Sequence, residues 1–237
     1  MISAPEHQTG TPAFEVISDG QRIPNFLVEP TGLTGAPAVT ILHDWWGLSE
    51  QTKNVARRFA SMGYVACAPD LYARVGSKVT SDPAEAAQLM AAVSSQAVLR
   101  DLNATTRALK RRSTVDPARI GVIGFSMGGT FALTQACHNS DLKAAVVLYG
   151  KIPPIDSFKY LVCPLQYHWP EQDPWIPKSE IEILRTGLAQ AQRPGEIISY
   201  PGCPHGFFNE IRPELYRKDA AERAWQKTLE FFTSHLR

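Results

Sequence analysis

The chain of 237 residues lacks the charge excess that marks a nucleic-acid-binding protein. Its 24 basic and 23 acidic side chains leave a formal net charge of +1, whereas a nucleic-acid surface needs an excess of lysine and arginine on one face. The basic run Lys110-Arg111-Arg112 falls where a long helix is predicted to end, and cations there complement the helix dipole. We therefore expect no nucleic-acid partner.

Cysteine is scarce as well: the four thiols are far apart in the sequence and form no CxxC pair. That spacing is typical neither of a disulfide framework nor of a zinc site, so we expect a reducing compartment, no metal and no cofactor. Residues 1–11 are polar, and no apolar run is long enough to cross a bilayer. We therefore predict a cytoplasmic protein with no signal peptide and no membrane partner.

Strand-like and helix-like segments alternate along the chain, with no internal repeat. Residues 38–42 and 64–68 are apolar almost throughout, as in strands of a parallel sheet that is covered on both faces. Apolar residues at helical spacing predict a helix over 49–62 and a single long helix over 83–112. They also predict a C-terminal helix whose core-facing stripe consists of Trp225, Leu229, Phe232 and Leu236.

The remaining segments complete the same alternation. Further strands are predicted over 13–18, 23–29, 120–123, 144–148, 161–167 and 196–200, and further helices over 127–138 and 179–192. Two antiparallel-type strands followed by βα units predict an α/β fold with a mostly parallel twisted sheet and helices on both faces. A chain of this length with 44% hydrophobic residues is expected to form one domain over 1–237.

The run Gly124-Phe125-Ser126-Met127-Gly128 is a G-x-S-x-G motif that follows a buried strand and opens a helix. In that setting the chain turns sharply, and the serine is held in a strained conformation with its Oγ exposed at the positive end of the helix. A phosphate-binding turn is the competing interpretation, but the spacing is neither G-x-G-x-x-G nor that of a P-loop. Ser126 is therefore the predicted nucleophile.

A serine hydroxyl needs a base and the base needs an acid, which this fold supplies in the chain order Ser…Asp…His. His205 lies in a Pro- and Gly-rich loop after the last predicted strand and is the candidate base among six histidines. Asp173 follows the strand predicted over 161–167, and Pro174 stiffens its loop. Glu171 is the nearby alternative for the acid. These residues predict a Ser126–His205–Asp173 triad.

The negative oxygen of a tetrahedral intermediate also needs hydrogen-bond donors. One is expected to be the backbone N–H of Met127, directly after the nucleophile, and the other to come from the loop His43-Asp44-Trp45-Trp46-Gly47. The tandem tryptophans of that loop are suited to line a mouth for an apolar acyl or aromatic group, and core packing is the alternative for either one.

Taken together, these stretches resemble the dienelactone hydrolase family. The resemblance is carried by the loop His43-Asp44-Trp45-Trp46-Gly47-Leu48, the G-Y-V-x-x-x-P-D-L-Y run over 63–72, the G-x-S-x-G motif, the Asp173 loop and Pro204-His205-Gly206-Phe207. It implies a small α/β-hydrolase fold without a cap domain, which opens lactones or esters through an acyl-enzyme. It also implies that the second oxyanion donor is the N–H of Trp45.

Three departures from the family pattern limit what the resemblance implies. The family usually has cysteine where this chain has Ser126, and glutamate where it has the shorter Asp44. Asn209 stands where an arginine that grips a substrate carboxylate is expected; Arg74 and, more weakly, Arg212 are the other candidates. A neutral ester or lactone is therefore the favoured substrate. The predicted pocket residues are Asp44, Trp46, Phe125, Arg74, Phe207 and Asn209.

Two other interpretations stay open at the level of sequence. One is a non-catalytic protein of the same fold that binds a small ligand, although such a protein has no need of all three triad residues. The other is a thiol hydrolase in which Ser126 replaces a natural cysteine. A peptidase usually needs an added domain, and a dehalogenase needs a carboxylate at position 126. By analogy with the fold, we expect a monomer or a small homo-oligomer.

Overall fold

An eight-stranded sheet forms the centre of the computed structural model, which describes residues 14–237. The strands are β1 (Phe14–Ser18), β2 (Gln21–Val28), β3 (Ala36–Leu42), β4 (Val65–Pro69), β5 (Val115–Phe125), β6 (Leu142–Leu148), β7 (Leu165–Gln172) and β8 (Gly195–Pro204). Their order in the sheet is β1-β2-β4-β3-β5-β6-β7-β8. β1 and β2 pair antiparallel, β2 also runs antiparallel to β4, and the others are parallel. The predicted mostly parallel sheet is confirmed; position 13, the predicted start of its first strand, lies outside the described residues.

Helices pack against both faces of this sheet. They are α1 (Glu50–Ser61), α2 (Pro83–Ala92), α3 (Ser95–Lys110), α4 (Met127–Ala136), α5 (Lys178–Ala191) and α6 (Lys218–Leu236), with a 3-10 helix at Ile155–Tyr160. One apolar cluster joins α3, α4 and α5 to the sheet, and a second joins α1 and α6 to its other face. In α6, three residues of the predicted stripe are buried and Leu229 is partly buried against the same cluster.

The prediction of one helix over 83–112 is wrong, because the chain breaks at Val93 and Ser94. Both residues are extended, with ψ angles of 125° and 113°, so α2 ends before them and α3 begins after them. The Ser94 hydroxyl accepts a hydrogen bond from the Ala97 N–H at 3.4 Å and caps α3. Serine is one of the preferred N-cap residues of helices. The spacing of apolar residues alone does not show that one helix ends and another begins.

The parallel strands bring the candidate site residues to one edge of the sheet. β3, β5, β7 and β8 run in one direction, so their carboxyl ends meet at one edge of the sheet. Loops at that edge are the usual position of binding and catalytic groups in α/β proteins. The segments that leave these four ends carry, in order, the His43 loop, Ser126, Asp173 and His205.

Candidate active site

Ser126 occupies the turn between β5 and α4 in a conformation that few residues adopt. Its φ is 51° and its ψ is −116°, which is strained for a residue with a Cβ atom. The two motif glycines make this turn possible, since a Cβ at Gly124 would lie 2.1 Å from the Gly128 carbonyl oxygen and one at Gly128 would lie 2.3 Å from the Leu42 carbonyl oxygen. The Ser126 side chain is thereby held at the N-terminus of α4, partly exposed.

His205 follows β8 and reaches Ser126. Its Nε2 lies 2.8 Å from the Ser126 Oγ, and the edge of its ring packs against Tyr149, with ring centroids 4.9 Å apart. The His205 side chain is 23% exposed, so one side of the imidazole remains open to solvent or substrate.

Asp173 lies behind the histidine, fully removed from solvent. Its Oδ2 is 2.7 Å from His205 Nδ1, and its side chain is 0% exposed. Its Oδ1 accepts hydrogen bonds from the N–H groups of Trp175 at 2.8 Å and Ile176 at 3.2 Å. An ionised carboxylate here requires the proton of the imidazole on Nδ1, which leaves Nε2 free to accept from the serine hydroxyl. The rival candidate Glu171 is exposed.

The two predicted oxyanion donors are Trp45 and Met127, and a tyrosine touches both residues. The Tyr72 hydroxyl donates to the Trp45 carbonyl at 2.8 Å and lies 3.7 Å from the Met127 sulfur. Within residues 14–237, neither the Trp45 N–H nor the Met127 N–H donates to a protein acceptor. Met127 is the first residue of α4, where backbone N–H groups are free and the helix dipole favours negative charge.

The carboxyl group of Asp44, in the loop His43–Gly47, accepts two hydrogen bonds. Its Oδ1 accepts from the Trp46 N–H at 3.0 Å, and its Oδ2 accepts from the Asn209 side-chain amide at 3.1 Å. Loss of solvation raises the pKa of the Asp44 carboxyl, and these hydrogen bonds together with the charge of Arg212 only partly oppose the shift. The carboxyl therefore keeps a proton to higher pH than an exposed aspartate does.

The two tryptophans after Asp44 have different surroundings. Their ring centroids are 4.8 Å apart. Trp46 is 9% exposed, and the Arg212 guanidinium lies 3.7 Å from its ring centroid. Trp45 is only partly buried, and its side chain packs against the apolar cluster that contains Met127.

Comparison with known proteins decides the family. The profile of the dienelactone hydrolase family matches residues 23–236. The chain belongs to the dienelactone hydrolase family. It is 34% identical over 231 residues to a Yersinia pestis protein provisionally named carboxymethylenebutenolidase, which covers 92% of this chain and 86% of that protein. A protein of Escherichia coli strain K12 with the same provisional name is 33% identical over 231 residues, covering 92% of this chain and 84% of that one.

Solved structures agree with this assignment. A provisionally named dienelactone hydrolase from Klebsiella pneumoniae matches with a TM-score of 0.88 and 29% identity, covering 94% of this chain and 98% of that one. A dienelactone hydrolase-like promiscuous phosphotriesterase from metagenomic libraries matches with a TM-score of 0.84 at 20% identity, covering 95% and 99%. The latter shows the shared α/β-hydrolase fold. The predicted family and fold are therefore confirmed, and the chain is a dienelactone hydrolase-like hydrolase.

Three of the predicted pocket residues are either buried or already bonded to protein. The Arg74 guanidinium donates to both carboxylate oxygens of Asp101, at 2.8 and 2.7 Å, and to the Ser18 carbonyl at 2.9 Å. These bonds join Arg74 to the end of β1 and to α3, so its guanidinium is already engaged. Phe207 is 0% exposed and Phe125 is 6% exposed, and both belong to the apolar cluster under α1 and α6. Phenylalanine next to a site residue is more easily buried than presented to solvent.

Other residues beside the site escaped prediction. His43 is fully buried, Tyr72 contacts both predicted oxyanion donors, and Tyr149, with a φ of 44°, packs on His205. Tyr72 lies in a sequence run that carried the family resemblance, but nothing in that run indicated a hydrogen bond to a residue 27 positions away. The positive φ of Tyr149 has no sequence signal, since tyrosine rarely adopts it.

We also searched the described residues for metal sites, membrane-spanning helices and other clefts. No group of three or more potential metal ligands occurs within residues 14–237, and none of the helices there combines the length and hydrophobicity needed to cross a bilayer. A cleft of about 350 Å³ lies where β7 and β8 begin, lined by Gln166, Glu196, Lys227 and Phe231 among others. It is at the opposite edge of the sheet from Ser126 and contains none of the predicted site residues.

Proposed function

We propose that the chain hydrolyses carboxylic esters or lactones through an acyl-enzyme on Ser126. The carrying observation is the continuous pair of hydrogen bonds from Ser126 Oγ to His205 Nε2 and from His205 Nδ1 to Asp173. The names of the relatives, carboxymethylenebutenolidase and a lactonase in Bradyrhizobium, support the same class of reaction.

In this proposal Ser126 Oγ attacks the substrate carbonyl carbon while His205 Nε2 takes the hydroxyl proton. The N–H groups of Trp45 and Met127 stabilise the resulting oxyanion, and Asp173 stabilises the imidazolium. The intermediate collapses as His205 returns its proton to the leaving oxygen, which departs as an alcohol or, in a lactone, stays attached to the acyl chain. His205 then deprotonates a water that attacks the ester carbonyl of the acyl-Ser126. The second tetrahedral intermediate collapses as His205 returns this proton to Ser126 Oγ, and the carboxylic acid product leaves.

The surroundings of Ser126 favour a substrate whose acyl group is uncharged and apolar. Asp44 contributes a carboxyl group, Asn209 supplies an amide that is already bonded to it, and the Arg74 donors are engaged elsewhere. A substrate carboxylate thus finds Asn209 and Arg74 already engaged, and Arg212 lies over the Trp46 ring and donates to the Ser81 carbonyl at 3.3 Å. The partly exposed Trp45 side chain offers apolar contact instead. We therefore propose neutral aliphatic or aromatic esters and lactones as the substrate class, which differ from the carboxylate-bearing lactones in the relatives' names.

Turnover of p-nitrophenyl esters of increasing chain length, and of simple lactones, tests this function. Ser126→Ala is expected to lower kcat by a factor on the order of 10³ or more, because no other group forms the acyl-enzyme. Circular dichroism and the melting temperature of the variant serve as the control for folding. Equal activity in the parent and the alanine variant would contradict the assignment of Ser126.

Ser126→Cys separates the serine interpretation from the thiol interpretation. If serine is the working nucleophile, the parent is active and the cysteine variant is no better. A parent that is inert beside an active cysteine variant would show that thiol chemistry is the natural one for this site. If all three proteins bind the esters without hydrolysing them, the ligand-binding alternative replaces the enzyme.

A further inference from the structure

The oxyanion donor Trp45 shares its peptide group with the carbonyl of Asp44, and that carbonyl is held by a buried histidine. His43 Nδ1 lies 2.6 Å from the Asp44 carbonyl oxygen, and the Gly47 N–H approaches the same oxygen at 3.3 Å. In a trans peptide the C=O and N–H bonds point in opposite directions. Whatever fixes the Asp44 carbonyl therefore also fixes the direction of the Trp45 N–H.

The tautomer of His43 follows from the partners of its two ring nitrogens. The Leu71 N–H donates to His43 Nε2 at 3.0 Å, and the Asp70 carboxylate lies 3.7 Å from the same atom. Nδ1 faces a carbonyl oxygen, so it is assigned as the donor toward Asp44 and Nε2 as the acceptor from Leu71. His43 is 0% exposed, and both its ring nitrogens are occupied. It is thus unable to act as a second base for Ser126 without breaking one of these bonds.

Tyr72, in the segment after β4, makes further contacts with the loop His43–Gly47. Tyr72 packs edge-on against the His43 ring, with centroids 5.2 Å apart, and its hydroxyl donates to the Trp45 carbonyl. The next N–H along the chain, that of Trp46, donates to the Asp44 side chain. The peptide groups on both sides of Trp45 are consequently bonded to protein, while the Trp45 N–H itself has no protein acceptor within the described residues.

We infer that His43 is a positioning residue of the oxyanion site, which orients the peptide group that carries the Trp45 N–H. The bond to Asp44 also polarises the amide, so that its N–H becomes a stronger donor as charge develops on the substrate oxygen. His43 touches neither the substrate nor the reacting atoms. The inference rests on the proposed hydrolysis at Ser126 and adds the group that preorganises one of its two oxyanion donors.

Two substitutions at position 43 separate the hydrogen bond to Asp44 from the bond to Leu71. The amide nitrogen of asparagine falls near the position of Nδ1, so His43→Asn retains a donor for the Asp44 carbonyl and loses the acceptor for Leu71. The amide of glutamine falls near Nε2, so His43→Gln retains the Leu71 acceptor and leaves the Asp44 carbonyl without a side-chain donor. His138→Asn is the matched control, because His138 Nδ1 donates to the Thr134 carbonyl at 2.8 Å beyond the far end of α4.

The Gln variant is expected to lower kcat for a p-nitrophenyl ester about 10- to 100-fold with little change in KM, since a fully lost oxyanion donor costs about 10²–10³. Its inhibition constant for a trifluoromethyl ketone, whose adduct carries the oxyanion, is expected to rise by the same factor. The Asn variant and the His138 control are expected to stay within about threefold of the parent. Equal losses in the Asn and Gln variants, or losses that follow melting temperature alone, would overturn the inference.

A measurement on the unaltered protein covers the case in which the variants do not fold. In chain labelled with ¹⁵N-histidine, His43 is expected to give the Nδ1–H tautomer, with an Nδ1 proton that moves downfield when the trifluoromethyl ketone binds. An Nε2–H tautomer, or a proton that does not respond, would contradict the role of His43. Loss of turnover in Ser126→Ala tests the hydrolase proposal separately, because it does not depend on position 43.

Discussion

At the scale of single residues, the site is defined as much by neighbours that hold side chains as by the chemical groups themselves. Asp173 uses one oxygen to accept two backbone N–H groups and the other to orient His205. Asp44 is held in the same manner by Trp46 and Asn209. Their partners differ, since Asp173 contacts His205, the proposed base, whereas Asp44 lies in the loop His43–Gly47, which carries the proposed oxyanion donor Trp45.

The charge of Asp44 is expected to discriminate against anionic substrates, and Asp44→Asn tests this. Removing the charge should raise kcat/KM for the p-nitrophenyl monoester of glutaric acid about tenfold relative to the uncharged pentanoate, which is the scale of one like-charge repulsion near a protein surface. The pKa of Asp44 is raised by burial, so the repulsion is present above that pKa and is lost as the pH falls through it. The ratio of the two rates should therefore depend on Asp44 ionisation in the parent and not in the variant.

Glu182→Gln is the control for this experiment, because Glu182 is an exposed carboxylate on α5. It removes the same net charge and should leave the ratio unchanged. An Asp44→Asn variant with the parent's ratio at every pH would rule out Asp44 as the source of discrimination.

At the scale of elements, capping residues separate α2 from α3 although the helical spacing of apolar residues continues between them. Asp82 caps α2 through a hydrogen bond from the Ala84 N–H at 2.9 Å, and Pro83 occupies the first turn. Ser94 starts α3 in the same manner. Apolar residues continue across positions 93 and 94 at roughly helical spacing, which is why the sequence predicts one helix where the chain folds into two.

Ser94→Ala is expected to lower the free energy of unfolding by about 0.5–1 kcal/mol, the usual effect of removing an N-cap hydroxyl. Ser95→Ala is the matched control, since Ser95 lies one residue inside the helix, is exposed, and should change stability by less than about 0.5 kcal/mol. Urea denaturation of the three proteins measures both values. Equal effects at the two positions would mean that the Ser94 cap contributes nothing.

At the scale of the whole molecule, the sheet holds Ser126 in a conformation that the residue alone would not adopt. β5 lies between β3 and β6, the Ser126 N–H donates to the Leu148 carbonyl at 3.0 Å, and α4 packs directly behind the turn. Strained backbone of this kind persists only where the surrounding structure over-determines it, and it costs about 1–3 kcal/mol.

Two variants at position 126 test for that strain. Ser126→Gly and Ser126→Ala both remove the hydroxyl, but only alanine keeps a Cβ atom in the strained region. The glycine variant is expected to be more stable than the alanine variant by about 1 kcal/mol, in spite of the greater freedom of unfolded glycine. Thermal and urea unfolding of the pair give the difference, and an alanine variant at least as stable as the glycine one would show that the turn is unstrained.

The sequence by itself determined the features that are local or that repeat. Apolar runs predict the buried strands, and the glycines around Ser126 predict the turn, because a Cβ at either position would overlap a backbone oxygen. The chain order of Ser126, Asp173 and His205 predicts their meeting, because parallel strands deliver their carboxyl ends to one edge. The triad itself, as a set of catalytic roles, remains a proposal that the Ser126 variants test.

Only the tertiary structure decided which groups are free and which are already bonded. Arg74 is a plausible anion-binding residue in the sequence, yet Asp101 and the Ser18 carbonyl occupy its donors. Conversely, the role proposed for His43 rests on its hydrogen bond to the Asp44 carbonyl, and Tyr72 donates to the Trp45 carbonyl; no local sequence pattern predicts either bond. Such bonds join residues that the sheet brings together from separate loops, and their geometry exists only once the chain has folded.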